Sequence, residues 1–491
     1  MLQDPSEMQK QLLTIYFVLI IISCYGQNKQ LIYNFDQLPQ TLMTNPGAVV
    51  DYNKHIGIPL LSGIYFQIGA TNKNVTYNNV FAGQGGSDAL RNLNDIEDLS
   101  TDDYFQFNQQ IEILYGGIRL RNDKHYVSFG IYEEMDGFTL YPGDIVKIYY
   151  HGDDRNGDGI PEFDRITNLD QLNMIGNLMG VFHVGISSKI SERLNIGARL
   201  KLISGSLNFN STKNTGNYQL SQSESSALYH HNFNNMNVIF NSSGFSATEA
   251  GDFEFDPGSY IQGLFFLKGN IGIGVDLGLT YQANERVTVT ASVLDLDYIN
   301  YSNDITSYVV VNDFLVKDED YFDPPFGGEQ QYWKDKIDDY RYFYGDDLPL
   351  DTIHVRYNNF RSPILNASVG YKMSNKAKGS KSVFRDVKCD KCLYNKGLYT
   401  SELGIQTYTI FRPEKIGWAI TAYYSREFNQ YINAKITYTY DNFSPYNVGI
   451  GISTHFRRLN FYAAMDNLLY LPRLKDSNYQ SLQLGFNFIF E

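Results

Sequence analysis

The chain has 491 residues with 39 Tyr, 32 Phe and 41 Gly, and its formal net charge is -14. A mean hydropathy of -0.32 argues against a helical membrane protein, and the acidic balance gives no electrostatic footprint for nucleic-acid binding. Abundant aromatic residues exclude an intrinsically disordered chain, while the length alone would allow about three domains.

An apolar run at residues 12–22 has the layout of a secretory signal peptide. It follows a lysine and precedes small and polar residues, which predicts a signal peptide over 1–26. Met8 is an alternative start, because the residues before it include two acids. A second interpretation treats Cys24 as the lipidated cysteine of a bacterial lipobox. Both interpretations predict export, with Gln27 or Cys24 as the first residue of the mature chain.

Several segments of about ten residues alternate apolar and polar side chains with a period of two, as at 194–202, 273–282, 287–293 and 432–440. Strands of this length match tilted transmembrane strands, whereas the strands of globular proteins are usually shorter. A soluble β-sandwich also alternates, so strand length favours the membrane interpretation. The pattern therefore predicts an all-β protein, a transmembrane antiparallel β-barrel.

The connections between these segments alternate between tight turns and long loops, as outer-membrane barrels require. The long connections predicted as extracellular loops are 70–105, 138–175, 209–270 and 300–362. Counting the segments predicts about 14 strands, or 16 if Asn214 to Asn241 forms a further hairpin. The domains are then a plug segment at 27–53 inside the lumen and a barrel at 54–491, with a basic periplasmic linker at 375–400 that a periplasmic protein partner could recognise.

The last strand carries the most specific signal. Residues Gln483 to Phe490 fit the polar-x-Gly-x-x-aromatic-x-aromatic pattern of the β-signal that barrel-assembly machinery reads at a final strand. Its apolar residues share one face, which predicts contact with outer-membrane lipid. We therefore predict two partners, the assembly machinery and the lipid, and a location in a Gram-negative outer membrane.

The segment Thr44-Asn45-Pro46-Gly47-Ala48 resembles the Asn-Pro-Ala segment at the start of FadL-like barrels, including the PorV and PorP/SprF proteins of Bacteroidota. Residues 55–62 and 275–296 resemble an uncharacterised family of Bacteroidota outer-membrane barrels. Gly47 departs from the pattern, which has Ala there. The resemblance implies a 14-stranded barrel whose amino-terminal segment lies in the lumen, and it carries over no catalytic residue.

The loop that begins at Asp153 resembles calcium loops of the form D-x-N-x-D-G. Carboxylate, amide and backbone oxygens in this spacing suit a hard cation, and Gly159 would allow the sharp turn. A full EF-hand is excluded, because its twelfth position is Arg165 rather than Glu. A solvated turn is the alternative. The predicted Ca²⁺ ligands are Asp154, Asn156, Asp158, Ile160 and Glu162.

Cys389 and Cys392 form a C-x-x-C pair within the basic linker. In an oxidising exported compartment they are predicted to form a disulfide or to remain free thiols. A zinc half-site would need a second pair of ligands, and the sequence offers none nearby.

Further candidates lie on the polar strand faces and in the last long loop. The loop 300–362 combines acidic residues with aromatic residues such as Tyr321, Phe322 and Trp333, which predicts either a recognition surface or ordinary packing over the barrel mouth. Charged or polar lumen positions would line a pore or bond with the plug, and packing is their default role. These positions are His183, Arg199, Lys201, Asp276, Lys372 and Lys435.

No hydrolase or nucleotide-binding motif occurs in the sequence, so we predict that the protein is not an enzyme. The resemblance implies a FadL/PorV-like barrel that is accessory to type IX secretion or surface-protein attachment. The alternative is passive transport of hydrophobic or small solutes across the outer membrane. A structural adhesin scaffold is a third hypothesis.

Overall fold

The computed structural model describes most of the chain from Lys29 onward. The described residues are 29–73, 75–76, 100, 102–121, 123–140, 143–154, 159–163, 165–170, 173–211, 214–224, 227–245, 264–265, 269–323, 332–333, 335–336, 339, 350–375, 399–429 and 431–490.

Fourteen antiparallel strands close into a barrel. Two of these strands are interrupted, and each is counted once: β1 with β2, and β15 with β16. This confirms the predicted fold and the lower strand count. The barrel strands are β1 (Lys54–Gly57), β2 (Ile64–Ala70), β3 (Tyr104–Arg119), β4 (His125–Leu140), β6 (Met174–Lys189), β7 (Leu194–Ser211), β10 (Ile271–Gln282), β11 (Val287–Tyr301), β15 (Tyr357–Phe360), β16 (Ile364–Asn375), β17 (Tyr399–Arg412), β18 (Lys415–Glu427), β19 (Ile432–Asp441), β20 (Asn447–Phe456), β21 (Leu459–Met465) and β22 (Tyr479–Phe490).

Six further strands within the described residues lie in the long connections. They are β5 (Thr167–Asn168), β8 (Thr215–Gln222), β9 (Tyr229–Ser243), β12 (Ile305–Val311), β13 (Phe314–Glu319) and β14 (Leu350–Ile353). β9 pairs with β8, β12 and β13, and it meets the barrel only at the upper end of β7. The hairpin at Asn214 to Asn241 therefore belongs to an outer sheet, and the 16-strand alternative is wrong.

Alternation along each strand separates a lipid-facing surface from the lumen. On β10 the side chain of Ile273 is 65% exposed, whereas Asp276 is fully buried on the other face. Such a belt of outward apolar residues around a closed sheet is the architecture of an outer-membrane barrel. The barrel closes where β22 pairs with β1 and β2, for example at Ile64 opposite Leu484.

Most tight turns lie at one end of the barrel and most long connections at the other, although the tight β17–β18 turn at 413–414 lies at the end with the long connections. Residues 190–193, 283–286 and 457–458 are tight connections at one end, which we call the short-turn edge. Arg457 has a φ of 57°, so its turn uses the left-handed region at some cost in strain. β16 ends and β17 begins at the same edge, and the outer sheet lies at the opposite edge.

Helical structure is sparse in the described part of the chain. It consists of α1 (Thr41–Thr44), α2 (Gly143–His151) and a 3₁₀ helix at Leu468–Asp476. Among the residues that the structure describes, no helix has the length and apolar character needed to cross a membrane.

Candidate functional site in the barrel lumen

Residues 29–53, which we call the plug segment, run through the lumen and bond to the inward faces of the barrel strands. Ser292 Oγ of β11 donates to the carbonyl of Thr44 at 2.7 Å, and Asn195 Nδ2 of β7 donates to the carbonyl of Gly47 at 3.0 Å. These bonds satisfy backbone carbonyls that water cannot reach. The plug segment is therefore held by specific contacts rather than by loose filling of space.

The beginning of the plug segment is fixed to the opposite wall. Gln406 Nε2 of β17 donates to the carbonyl of Gln30 at 2.6 Å, and Lys435 Nζ of β19 donates to the same carbonyl at 3.3 Å. Lys435 also donates to the carbonyl of Tyr33 and is fully buried. Its ammonium thus bonds to the backbone of the plug segment and lines no open path.

Gly47 marks the closest approach between the plug segment and the wall. A Cβ atom on Gly47 would lie 2.4 Å from the carbonyl carbon of Gly278, and one on Gly197 would lie 2.0 Å from the oxygen of Pro46. Neither contact could be relieved without moving backbone. Asn45 Oδ1 accepts a bond from the Gly47 amide at 2.9 Å, which fixes this turn. The glycine in place of alanine is therefore a packing requirement.

Above the plug segment, Lys201 lies at the centre of a group of buried carboxylates. Its Nζ lies 2.9 Å from Asp276 Oδ1, 2.7 Å from Asp295 Oδ1 and 2.8 Å from Asp297 Oδ1. Arg199, two residues earlier on β7, donates through Nε to Asp276 Oδ2 at 2.6 Å. Burying charges is costly unless each is paired and hydrogen-bonded, and these groups meet that condition.

Two arginines extend these pairs across the lumen. Arg361 Nη2 lies 2.8 Å from Glu134 Oε1 on β4, and its Nη1 lies 3.2 Å from Asp297 Oδ2. Arg412 binds both carboxylate oxygens of Asp136 at 2.7 and 2.6 Å, the bidentate geometry that a guanidinium favours. We call the whole set the charge band: Glu134, Asp136, Arg199, Lys201, Asp276, Asp295, Asp297, Arg361 and Arg412.

Within the described residues, the charge band contains four cations and five anions. Lys29 of the plug segment lines the same cavity and bonds to Gln110, so it supplies a fifth cation. Five positive and five negative charges then cancel. The charge band together with Lys29 is therefore strongly polar, and its formal charges balance.

A β-bulge makes the charge band possible. The register between β10 and β11 shifts between Val275 and Leu277, and Asp295 adopts a φ of 60°. Below the bulge Ser292 points inward, and above it Asp297 does, so the bulge changes which alternate residues face the lumen. The Asp295 amide donates to Asp276 Oδ1 at 2.7 Å, which stabilises the strained residue.

A cavity of about 70 Å³ lies between the plug segment and the charge band. Its wall combines Lys29, Tyr33 and Met43 of the plug segment with strand residues such as Tyr132 and Tyr408. At roughly 10–15 Å³ for each water, it has room for about five to seven waters. Most of its lining side chains carry hydrogen-bonding groups.

Asp276, Asp295 and Asp297 present carboxylate oxygens within 4.8 Å of one another, close enough to share a cation. The ammonium of Lys201 already lies among them at hydrogen-bonding distance. We therefore assign this position to Lys201 and not to a metal ion.

The sequence profile of a family described as "Family of unknown function (DUF5723)" matches residues 46–466. The chain belongs to this family. The match covers the end of the plug segment and all of the barrel except its last strand. No functionally curated protein matches the sequence.

Solved structures similar to this DUF5723 chain include three bacterial proteins. They are the toluene transporter TodX of Pseudomonas putida (9% identity, covering 92% of each chain, TM-score 0.36), the toluene transporter TbuX of Ralstonia pickettii (10% identity, covering 95% of this chain and 99% of that chain, TM-score 0.41) and a FadL homologue of Pseudomonas aeruginosa (10% identity, covering 92% and 94%, TM-score 0.40). At such low TM-scores these likenesses carry no argument about function. The resemblance to PorV and PorP/SprF, and the assignment to Bacteroidota, stay predictions.

Only half of the lumen residues expected from the sequence of this DUF5723 chain enter the charge band, namely Arg199, Lys201 and Asp276. His183 packs between tyrosines, with ring centroids 5.9 Å from Tyr115 and 5.7 Å from Tyr132. Lys372 Nζ donates to Gln282 Oε1 at 3.2 Å. Lys435 holds the plug segment, as described above.

Sequence reasoning missed the other six members of the charge band. Asp295 and Asp297 lie beyond the bulge, where simple alternation no longer predicts which side faces inward. Arg361 lies between two strands, and Arg412 ends β17 next to a proline. The spacing Asp295-x-Asp297 within an otherwise largely apolar strand is a signal in the sequence that could have found these two residues. The remaining two residues are Glu134 and Asp136.

The predicted calcium loop is described only in part. Asp154 Oδ2 accepts a bond from the Gly159 amide at 2.7 Å, and Gly159 has a φ of 80°. Glu162 forms an ion pair with Arg165 at 3.0 Å, and Ile160 is 62% exposed. Asn156 and Asp158 lie outside the described residues, so the Ca²⁺ site stays a prediction. So does the disulfide, since Cys389 and Cys392 lie outside them too, as do the signal peptide and Cys24.

In the outer sheet of this DUF5723 barrel, a buried polar group links three separate loops. The carboxylate of Asp153 accepts bonds from the Tyr218 hydroxyl at 2.9 and 3.0 Å and from the Phe322 amide at 2.8 Å. His231 Nδ1 lies 2.9 Å from the same hydroxyl, and its Nε2 lies 3.1 Å from the carbonyl of Asp320. Burial lowers the pKa of His231 to about 4, because desolvation disfavours the charged ring.

The aromatic residues predicted at 300–362 pack onto this group. Phe322 belongs to a buried cluster with Tyr218, and Tyr321 and Trp333 pack at its margin. The indole Nε1 of Trp333 donates to the carbonyl of Tyr149 at 3.1 Å. For the described residues, the loop therefore serves packing over the barrel mouth.

Proposed function

We propose that the protein is a gated outer-membrane channel for small polar solutes, in which the plug segment closes the lumen. The observation that carries the proposal is the small cavity of about 70 Å³ between the plug segment and a charge band whose formal charges balance once Lys29 is counted. A solute larger than a few waters could pass only if the plug segment moved.

The lining of the cavity determines which solutes the proposal includes. An apolar solute would have to displace water from ionised and hydrogen-bonding side chains, which costs free energy without new hydrogen bonds. A neutral polar solute replaces the bonds that water made. A charged solute would compete with ion pairs that are already complete, such as Arg412 with Asp136. The geometry thus favours neutral polar solutes over hydrophobic ones.

The test measures solute entry into proteoliposomes by swelling, with arabinose as the polar probe and a fluorescent fatty acid as the apolar one. The triple variant Asn45→Ala, Asn195→Ala and Ser292→Ala removes three side chains that hold the plug segment. We expect slow arabinose entry through the original protein and entry several times faster through the variant. Thr407→Ala, which changes an exposed position on the outward face of β17, is the matched control.

The proposal fails if the loosened barrel, shown to be folded by its resistance to unfolding in detergent, admits arabinose no faster than the control. It also fails if the loosened barrel admits only the fatty acid. Single-channel conductance in a planar bilayer gives a second readout, since a displaced plug segment should produce brief openings that the control lacks.

A second candidate function is the accessory role in type IX secretion or surface-protein attachment. The closed lumen and the outer sheet favour it, because a barrel that passes nothing at rest can still present an outward scaffold for a protein partner. Affinity purification from native membranes tests this role. A barrel recovered without a stoichiometric partner would count against it.

A further inference from the structure

Cations surround the short-turn edge of the barrel. Among the described residues with at least partly exposed side chains at this edge, ten are cationic and five are acidic, a surplus of five positive charges in a chain whose formal net charge is -14. The cations are Lys54, Arg119, Arg121, Lys124, Lys189, Arg193, Arg286, Arg426, Arg457 and Arg458, and the acids are Asp51, Asp123, Glu192, Glu285 and Glu427. The protein is thus electrically polarised along its axis.

Six of these cations lie over aromatic rings at the same edge. Arg119 lies over the buried ring of Tyr126, and the other five lie over rings on the outward surface. Among these five, Lys54 and Arg458 both lie over the ring of Phe490. Each of the other three cations lies over a ring of its own. Distances from the cationic centre to the ring centroid are 4.6 Å for Lys54 and 5.2 Å for Arg458 over Phe490, 5.5 Å for Arg426 over Phe428, and 6.0 Å both for Arg286 over Tyr371 and for Arg457 over Phe456. We call these cations and rings the basic rim.

The rings of the basic rim point away from the lumen. Phe456 is 67% exposed, Phe428 is 61% exposed and Tyr371 is 43% exposed. Outward aromatic residues at the end of a transmembrane strand lie at the boundary between hydrocarbon and headgroups. A guanidinium lying over such a ring is therefore at headgroup depth.

The chemistry of these pairs leaves binding capacity toward the lipid. A cation over a ring uses the ring's negative face but keeps most of its N–H groups for other acceptors. Phosphate oxygens are the acceptors that arginine binds best, and they lie at this depth in a bilayer. We propose that the basic rim binds the phosphates of anionic phospholipids in the leaflet next to the short turns.

The arrangement favours lipid over an acidic protein. The cation–ring pairs occur along an arc of neighbouring strands, at β1, β11, β16, β18, β20 and β22 and at the turns beside them. The exposed cations Arg121, Lys124 and Arg193 continue the positive charge along the remaining part of the edge. The ring of each pair points outward, and no pair lies over the opening of the lumen. A protein docked beneath the barrel would contact turn tips on one side of the axis, whereas an annulus of lipid contacts every pair.

The experiment compares how spin-labelled phosphatidylglycerol and phosphatidylcholine associate with the full-length barrel in mixed bilayers. The test variant Arg286→Gln, Arg426→Gln, Arg457→Gln and Arg458→Gln keeps a polar, hydrogen-bonding side chain at each position and removes four charges. The attraction between an anionic leaflet and one nearby cation is large enough to change lipid binding severalfold. We therefore expect the original protein to prefer phosphatidylglycerol about fivefold over phosphatidylcholine, and we expect the variant to show almost no preference.

The matched control replaces four exposed cations elsewhere in the chain: Lys73→Gln, Arg165→Gln, Lys317→Gln and Arg356→Gln. It should keep the preference, and added salt should weaken the preference of the original protein. Inorganic phosphate in solution should compete poorly, since the rim meets lipid headgroups at fixed depth.

The proposal is overturned if the original protein shows no preference, if the folded test variant keeps it, or if the control variant loses it equally. The proposal is also overturned, in favour of a protein partner, if the original protein binds an acidic peptide in detergent but shows no preference for phosphatidylglycerol in bilayers. Solute entry plays no part in these readouts, so they stand apart from the channel proposal.

Discussion

Lys201 is the residue on which the charge band most depends. Its side chain is fully buried and lies between three carboxylates from two strands. Arg199 pairs with one of these carboxylates and Arg361 with the other two, so neither arginine could replace Lys201. Removing a single partner from such a group leaves buried charges of the same sign next to one another.

We predict that Lys201→Met destabilises the barrel by about 3–5 kcal/mol, the usual cost of leaving a buried charge unpaired. The urea concentration at which the folded form disappears on unheated gels measures this. Lys73→Met, at an exposed loop position, is the control and should change the midpoint little. An unchanged midpoint for Lys201→Met would mean that the carboxylates are not ionised together in the folded barrel.

His231 gives the outer sheet a dependence on pH. Burial lowers its folded pKa to about 4, below the ordinary value of 6.5, so the unfolded loop binds the extra proton first. The folded outer sheet should therefore lose stability as the pH falls from about 6.5 to 4, by up to about 3 kcal/mol. Above pH 6.5 the stability should be independent of this group.

Amide hydrogen exchange of β8 and β9 between pH 7 and pH 4, corrected for intrinsic rates, measures this loss. His231→Gln should flatten the pH dependence, whereas His230→Gln, at a more exposed position next to it, should leave it in place. The same slope in the His231→Gln protein would assign the effect to another group.

Among the elements, the plug segment and the strand bulge determine the shape of the lumen. The plug segment is held through its own carbonyls and also through side chains such as those of Gln40 and Asn45. The bulge on β11 brings Asp295 and Asp297 into the same polar surface of the lumen. Both features depend on backbone positions that tolerate little change.

We predict that Gly47→Ala displaces the plug segment, since the added Cβ would lie 2.4 Å from backbone of β10. Arabinose entry should rise, and a protease added to the proteoliposomes should cut within residues 29–53. Gly137→Ala is the matched control, because a Cβ there meets its nearest atoms at 3.8 and 3.9 Å, ordinary contact distances. Equal entry rates for the two variants would contradict the close approach.

The loop 153–165 offers a second prediction at this scale. If it binds Ca²⁺, the ion should slow proteolysis of the loop, and Asp154→Asn should weaken the effect by removing one ligand charge. Asp351→Asn, on β14, is the control. Proteolysis that is the same with calcium and with a chelator would leave the Asp154 turn as a solvated loop.

At the scale of the whole molecule, the sequence predicted the barrel and only part of its interior. Alternation over ten residues and the succession of turns and loops determine a closed sheet almost without reference to tertiary contacts. The charge band joins residues of β4, β7, β10, β11 and β17, and its alignment depends on a bulge. No local sequence pattern indicates which distant aspartate contacts Lys201. The sequence therefore predicted only three of the nine residues of the charge band.

The plug segment also bonds to the last strand. Gln40 Nε2 donates to Asn487 Oδ1 at 3.2 Å, and Asn487 Nδ2 donates back to Gln40 Oε1 at 3.1 Å. We predict a coupling energy of about 1 kcal/mol in a double-mutant cycle of Gln40→Ala and Asn487→Ala. Gln40→Ala with Asn433→Ala should be additive by comparison. Additivity in both pairs would show that this contact does not couple plug and strand.

The closing seam has a consequence for the order of events during folding. It joins Ile64 to Leu484 and His55 to Ile489, residues at opposite ends of the chain. Contacts so distant in sequence form last, because the entropy of closing the long intervening chain must be overcome first. The reciprocal bond of Gln40 also waits for β22. A nascent barrel is therefore an open sheet whose amino end still lacks its bonds to β22, and its wall closes only when the final strand arrives.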